Sequence, residues 1–216
     1  LDVYLPRILK CGFVVAVYIQ YEIEGAKYKG HRHVGTYTQS TYIEDGESSS
    51  NLLCIEFTEN ISPITSKKVK CMFVCILDVT IGKLWMIEVI DSEEDDKIAS
   101  ELERILHTYR PKEIIYHGNP PKEIFMAKQI DFPRSYYTLS YQEEILSKVY
   151  EIEKPIIALN LEHKHLLLPT LVAIISYAHQ LDSKIINKIN RPRYLRDENY
   201  LLCNNDSVIK LSLIDS

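Results

Sequence analysis

Residues 70–90, KCMFVCILDVTIGKLWMIEVI, constrain the fold of this chain more than any other stretch. Two apolar runs rich in Val, Ile and aromatic residues flank the turn Thr80–Lys83, which predicts two strands joined by a short turn. Asp78 stands where the first strand ends. An aspartate in this place is either a metal ligand or a turn residue that accepts a hydrogen bond from its own backbone. The hairpin therefore predicts a buried sheet and makes Asp78 the first candidate functional residue.

Helical periodicity after the hairpin indicates an α/β fold. Within residues 92–109, apolar side chains recur every three or four positions, which predicts an amphipathic helix. These side chains are Ile98, Leu102, Ile105, Leu106 and Tyr109. Residues 112–118 predict a short buried strand, and residues 168–181 predict a nearly wholly apolar helix that belongs in an interior. Residues 120–130, which open on a double proline, are predicted to be helical.

The N-terminal part predicts a smaller unit. A helix, a strand, a polar loop and a second strand are expected over residues 2–11, 13–21, 22–33 and 33–38. The stretch EDGESSSN that follows, rich in acidic residues and serine, is the best domain boundary in the chain. At the other end, Asn205 or Asp206 predicts the cap of an apolar helix that is expected to continue past Ser216. We therefore expect the sequence to be a piece of a longer protein.

The composition describes a globular chain with an acidic balance. Of its 216 residues, 46% are hydrophobic and 25% are charged, which is enough for a sizeable core. The net charge of −5 and the pI of about 5.8 exclude a general nucleic-acid coat or a polybasic membrane-binding protein, because both need excess Lys and Arg. Any DNA contact must therefore be local. The longest apolar run is too short to span a bilayer, so no membrane association is expected.

The cysteines predict a reduced protein. None belongs to a Cys-x-x-Cys pair or has a histidine partner at zinc spacing, and most lie inside apolar strands. They are Cys11, Cys54, Cys71, Cys75 and Cys203. We expect them to be core residues in a reducing compartment.

Candidate catalytic and metal-ligating residues do not form a complete set in the sequence. Asp78 would need further carboxylates to bind Mg²⁺, and Glu101, Glu103 and Glu162 are not placed by any motif. His163 and His165 lack a third ligand and are expected in a solvated loop. No nucleophile elbow, phosphate-binding loop or dinucleotide-binding glycine motif occurs. The sequence therefore predicts no catalytic residue and no metal site, with Asp78 as a turn residue.

Two basic groups are candidate phosphate contacts. The first comprises Lys27, Lys29 and Arg32, and the second comprises Arg191, Arg193 and Arg196. Both lie near the edges of the expected domains, where a local cluster of cations can meet a phosphate.

In order along the chain, these pieces resemble the MutS family of DNA mismatch-repair proteins. Residues 1–22, LDVYLPRILKCGFVVAVYIQYE, resemble the end of its mismatch-recognition domain, and HVGTYTQSTYIEDG its closing strand and turn. The hairpin FVCILDVTIGKLWMIEV and the strand RPKEIIYHGN are similar to parts of the family's connector domain. The segment from residue 171 onward resembles the last helix of the connector and the start of the lever domain that follows it. Gln39-Ser40 replaces the family's usual Pro-Gly, so this turn lacks proline's fixed φ and glycine's freedom.

The resemblance implies a fold and a division into domains. It implies an RNase H-like connector domain, a mixed sheet flanked by helices without nuclease activity, preceded by the end of an α+β mismatch-recognition domain. The expected parts are residues 1–46 for the recognition domain, 47–192 for the connector and 193–216 for the start of the helical lever domain. The order NRPRY before YLLCNNDSVIKL is closest to the organelle- and virus-encoded branch of the family. This fits the amino-acid composition, which is expected of an AT-rich coding sequence.

The resemblance also implies a function for the parent protein. It implies binding of mismatched double-stranded DNA coupled to ATP binding and hydrolysis, with ATP and Mg²⁺ bound outside this chain and no cofactor inside it. Lys29 and Arg32 are the expected contacts to the DNA backbone. A homodimer formed through other domains and a downstream repair factor docking on the connector are the expected partners. An intracellular location is expected, in the mitochondrion or with a viral or nuclear origin.

Two other functions remain open at this point. The chain could be an RNase H-like, Mg²⁺-dependent nuclease or resolvase that uses Asp78. It could also be an interaction module that never touches DNA.

Overall fold

The computed structural model describes residues 4–22, 29–42, 49–61, 68–92, 97–121, 124 and 127–195. The predicted helix start at Asn205 or Asp206, the basic residues Lys27 and Arg196, and Cys203 lie outside the described residues. Most of the predicted boundary segment, residues 44–51, also lies outside them.

Among the described elements, one helix precedes five consecutive strands, and most of the remaining helices follow the seventh strand. The strands are β1 (Val15–Glu22), β2 (Lys29–Tyr37), β3 (Asn51–Ile61), β4 (Lys68–Asp78), β5 (Lys83–Ser92), β6 (Glu113–His117), β7 (Ala127–Gln129) and β8 (Arg193–Tyr194). The helices are α1 (Leu5–Lys10), α2 (Lys97–Tyr109), α3 (Leu139–Tyr150), α4 (Pro155–Ala158), α5 (Leu168–Leu181) and α6 (Ser183–Ile186), with a 3-10 helix at Arg134–Tyr137.

The larger sheet has six strands in the order β7-β6-β3-β4-β5-β8. The three consecutive strands β3, β4 and β5 pair antiparallel, as the hairpin predicted. On one side of these three strands, β6 pairs parallel with β3, and β7 pairs parallel with β6. On the other side, β8 pairs parallel with β5. The result is a mixed sheet flanked by helices, which confirms the predicted α/β class.

Helices cover both faces of this sheet, which explains the uninterrupted apolar runs of β3 and β4. On one face, Leu102 and Ile105 of α2 join the buried cluster that contains Ile55 and Val74. The amphipathic stripe predicted for α2 is therefore confirmed. On the other face lies α5, and its buried side chains explain why the helix is apolar around its whole circumference.

The smaller sheet is the antiparallel pair β1–β2, which is largely exposed on both faces. Its register shifts between Val17 and Tyr18, where β2 carries one extra residue. The loop predicted over residues 22–33 was wrong for Lys29–His33, which belong to β2. Backbone pairing with β1 orders this polar stretch in spite of its composition.

A second correction concerns residues 120–130, which were predicted to be helical. Ala127–Gln129 instead forms the edge strand β7, with Ala127 opposite Ile114 of β6. The Ile130 N–H extends this pairing by donating to the Tyr116 carbonyl at 2.8 Å. Ala, Lys and Gln are good helix formers, but intrinsic helix propensity amounts to less than about 1 kcal/mol per residue, and pairing with the free edge of β6 outweighs it.

The described cysteines are free thiols, and Cys54, Cys71 and Cys75 are buried in the core as predicted. Cys11 differs from the prediction because it is exposed. Burial raises the pKa of the Cys54 thiol well above its ordinary value. In the described part of the chain, no helix is long and apolar enough to cross a membrane.

Candidate nucleic-acid interface and the junction of the two sheets

Lys29 and Arg32 both lie on β2, and the side chains of both are exposed. Lys29 is opposite Glu22 of β1, and Arg32 is opposite Ile19. The pairing between these positions is regular, and the two residues are three positions apart. Because successive side chains of a strand alternate between faces, Lys29 and Arg32 project from opposite faces of the ribbon. The structure therefore does not bring these two predicted contacts onto one surface.

The two faces differ in chemistry. Lys29 shares its face with Tyr18 and His33, whose rings lie 5.1 Å apart between centroids. Arg32 shares its face with Ile19 and Tyr21, and the Tyr21 ring lies over Gly30 so closely that a Cβ there would be 2.4 Å from it. Either face combines a cation with an aromatic side chain, which is suited to a nucleic-acid backbone and base.

A short turn connects β2 toward the larger sheet. The Tyr42 N–H donates to the Thr38 carbonyl at 3.1 Å, and the Thr38 N–H donates to Thr41 Oγ1 at 2.8 Å. These bonds form the turn at Gln39-Ser40, where the resemblance implied Pro-Gly. Side-chain hydroxyls thus stabilise the turn in place of proline and glycine.

Ser40 in this turn is fully buried and joins the two sheets. Its Oγ donates to Glu113 Oε2 of β6 at 2.6 Å, and its carbonyl accepts from Ser50 Oγ at 2.7 Å. Tyr177 of α5 donates to the other Glu113 oxygen at 2.5 Å. One carboxylate therefore connects the turn after β2 with the sheet and with its central helix. Sequence reasoning missed this junction because Ser40 and Glu113 are 73 positions apart.

Asp78 is a turn residue, as predicted from the sequence. Its Oδ1 accepts a hydrogen bond from the Thr80 N–H at 2.9 Å and another from the Thr80 hydroxyl. The side chain is buried. Across the described ranges, no group of three or more His, Cys, Asp or Glu side chains is arranged to hold a metal ion. The geometry therefore favours a scaffold role for Asp78.

His163 and His165 are exposed in the turns before α5, as expected for a solvated loop. Glu101, another weak candidate ligand, is buried and binds Arg104 through its Oε2, at 2.7 Å from Nη2.

Glu56 is a buried carboxyl group in the middle of β3 that sequence reasoning did not single out. Its two oxygens accept hydrogen bonds from the hydroxyls of Tyr137 at 2.7 Å and Thr170 at 2.9 Å. Burial raises the pKa of Glu56, while these two hydrogen bonds and the nearby His117 act in the opposite direction. A cavity of about 420 Å³ opens beside it. A lone acid within the apolar run LLCIEF was the signal that could have identified it.

We expect Glu56→Gln to change the pH dependence of stability. Because the pKa of Glu56 is raised in the folded state, Glu56 contributes fully to the free energy of unfolding at a pH below its pKa in the unfolded chain. This contribution is lost as the pH rises through its pKa in the folded protein. The free energy of unfolding of the wild type should therefore fall relative to that of Glu56→Gln as pH rises above the ordinary Glu range. Urea unfolding of both proteins across this range measures the difference. Glu59→Gln, an exposed acid on the same strand, is the control for charge removal, and a difference independent of pH for Glu56→Gln would contradict the expectation.

The chain is similar to known mismatch-repair proteins over most or all of its length. It is 25% identical to the DNA mismatch repair protein MutS of Caldanaerobacter subterraneus subsp. tengcongensis over 228 aligned positions, which cover 100% of this chain and 24% of that protein. It is 18% identical to the MutS homolog L359 of Acanthamoeba polyphaga mimivirus, over 85% of this chain and 20% of that protein. No protein-family profile matches the chain. The chain thus spans between a fifth and a quarter of the length of these relatives.

Proposed function

Because this chain belongs to the MutS family of DNA mismatch-repair proteins, we propose that it is the recognition-to-connector part of a protein that binds mismatched double-stranded DNA. The β1–β2 ribbon is the end of the mismatch-recognition domain, residues 1–46, and the six-stranded sheet is the connector, residues 47–192. Residues 193–216 begin the lever domain, although β8 pairs with β5 and extends the connector sheet to Tyr194.

The observation that carries this proposal is the junction at Ser40, Glu113 and Tyr177. A protein that couples mismatch binding to a distant ATPase needs the recognition domain to be attached firmly to its neighbour. Two short hydrogen bonds at Ser40, one donated to Glu113 and one accepted from Ser50, supply such an attachment here, and Tyr177 holds the other Glu113 oxygen. Motion of the ribbon on DNA would reach β6 and α5 through Glu113.

Other activities belong to the proposed parent protein. The sequence contains no GxxxxGK[ST] loop, so we place ATP and Mg²⁺ binding, and the ATPase reaction, in parts of the parent outside this chain. We also propose that the parent is a homodimer through such parts, and that a downstream repair factor docks on the connector. An intracellular location, mitochondrial or other, is part of the same proposal.

Charge reversal on the ribbon tests the DNA contact. We expect Lys29→Glu combined with Arg32→Glu to weaken binding of the 216-residue chain to a mismatched duplex in low salt by about tenfold or more, because each lost phosphate contact also removes a released counterion. Fluorescence anisotropy of a labelled duplex, measured over a salt series, gives both the affinity and the salt slope. The slope should become shallower by about one for each phosphate contact removed.

The single variants identify the face that meets DNA, since Lys29 and Arg32 project from opposite faces. Lys154→Glu combined with Lys184→Glu makes the same charge change at exposed positions outside the ribbon and is the matched control. If the ribbon variant and the control bind the duplex equally well, the assignment of Lys29 and Arg32 as DNA contacts is wrong.

A further inference from the structure

A second basic site lies on the larger sheet, away from the β1–β2 ribbon. It is a pocket of about 350 Å³ between the start of β5 and the segment that follows α6. Its lining residues are Lys83, Leu84, Trp85, Asn190, Arg191 and Arg193. Three of these six residues carry a positive charge, in a chain whose net charge is −5.

The backbone around this pocket is held in place at several points. The Asn190 N–H donates to the Gly82 carbonyl at 2.8 Å, and the Asn190 side-chain amide donates to the Ile81 carbonyl at 3.0 Å. The Tyr150 hydroxyl donates to the Asn190 carbonyl at 3.1 Å. Asn190 therefore joins the β4–β5 turn to the final segment, and its hydrogen bonds fix one lining residue of the pocket.

The cations are positioned by the same segment. Arg193 belongs to β8 and is the register partner of Trp85. Lys83 lies two positions before Trp85 on β5, so both project from the same face of the sheet. Pro192, between Arg191 and Arg193, restricts the backbone and reduces the ordering cost of binding.

These three cations have no carboxylate partner among the described residues. The nearest acids along the strands are engaged elsewhere: Asp78, the register partner of Lys83, accepts from Thr80, and Glu88 contacts Lys164 and Tyr194. Three like charges around one pocket repel each other unless an anion lies between them. Arginine guanidinium groups match the geometry of phosphate oxygens, and an aromatic ring beside them suits an attached base.

We propose that this pocket binds a phosphate group, either of a nucleotide or of a nucleic-acid backbone. Arg191, Arg193 and Lys83 donate to the phosphate oxygens, and Trp85 lies beside the attached nucleoside. This site does not depend on Lys29 and Arg32, and it goes beyond the DNA contact proposed for the ribbon.

Trp85 supplies an internal probe because it is the only tryptophan in the chain. The experiment titrates the 216-residue chain with inorganic phosphate, thymidine 5′-monophosphate and a short duplex in separate arms, and follows Trp85 fluorescence. Line broadening of the ³¹P resonance of the two small probes is a second measurement that does not require the ring to respond. We expect saturable binding that weakens by about tenfold or more in Arg191→Gln/Arg193→Gln and also weakens as salt is raised.

Arg134→Gln replaces one exposed arginine that does not line the pocket and is the control for loss of a positive charge elsewhere on the surface. The thermal midpoint of each variant tests that it is folded. Saturation by thymidine 5′-monophosphate identifies a small phosphate ester as the ligand, saturation by inorganic phosphate shows that the phosphate group alone is sufficient, and saturation by the duplex alone identifies backbone phosphates. The Lys29→Glu/Arg32→Glu variant should bind phosphate like the wild type, which separates this site from the ribbon. The proposal is overturned if no probe binds by either measurement, or if Arg191→Gln/Arg193→Gln binds as tightly as Arg134→Gln.

Discussion

Gly82→Ala is expected to lower the free energy of unfolding by about 2 to 5 kcal/mol. Alanine is strained in the left-handed backbone conformation of this position, and its Cβ has no room beside the neighbouring backbone. Gly82 has a φ of +70° in the β4–β5 turn, and a Cβ there would lie 1.8 Å from the Lys188 carbonyl oxygen. That oxygen belongs to the backbone and cannot rotate away. The substitution must therefore displace the segment that contains Asn190, whose N–H binds the Gly82 carbonyl.

Gly12→Ala is the matched control for this prediction. Gly12 has a similar φ of +82°, but a Cβ there would meet nothing within 4 Å. Its substitution should cost only the backbone preference, about 1 to 2 kcal/mol. Urea unfolding of both variants separates the two costs, and equal losses would show that the contact with Lys188 has no energetic effect. The same displacement should abolish phosphate binding at the pocket in Gly82→Ala but not in Gly12→Ala.

Leu102→Ala is the second large effect, with an expected loss of about 2 to 5 kcal/mol for a fully buried leucine. Leu102 is completely buried in the cluster that α2 forms with β3, β4 and β5. The truncation removes apolar contacts and leaves a cavity between the helix and the sheet, which the surrounding strands cannot close without disturbing their pairing.

Leu139→Ala makes the same chemical change at a position that is 59% exposed, at the start of α3. Its expected effect is within about 0.5 kcal/mol, as for most surface substitutions. Chemical denaturation measures both variants. A small loss for Leu102→Ala would mean that α2 is not packed on the sheet, and the two-sided architecture would then be wrong.

The fold was predictable where its signals are local. The strands β3, β4 and β5, the apolar stripe of α2 and the bounds of α5 all follow from the spacing of apolar residues over a few turns or a few strand positions. Asp78 belongs to the same group, because a carboxylate two residues before a backbone N–H forms its turn without help from the rest of the chain.

The candidate sites were less predictable because they depend on faces and distant partners. Lys29 and Arg32 looked like one basic group, yet alternation along β2 separates them onto two faces, since residues 29–33 form a strand and not the expected loop. Arg191 and Arg193 were identified as a basic group, but their proximity to Lys83 and Trp85 depends on pairing across more than 100 positions. Neither relation has a signal in the local sequence.

By itself, the sequence determined the α/β class, the buried hairpin around Asp78 and the resemblance to mismatch-repair proteins, because each depends on residue types in a local order. Only the tertiary structure decided the strand order, the edge strand β7, the Ser40–Glu113 junction and the basic pocket at Trp85. These features arise when backbone groups and charges that are far apart in sequence find partners in space, and such pairing outweighs the weak intrinsic preferences of short segments.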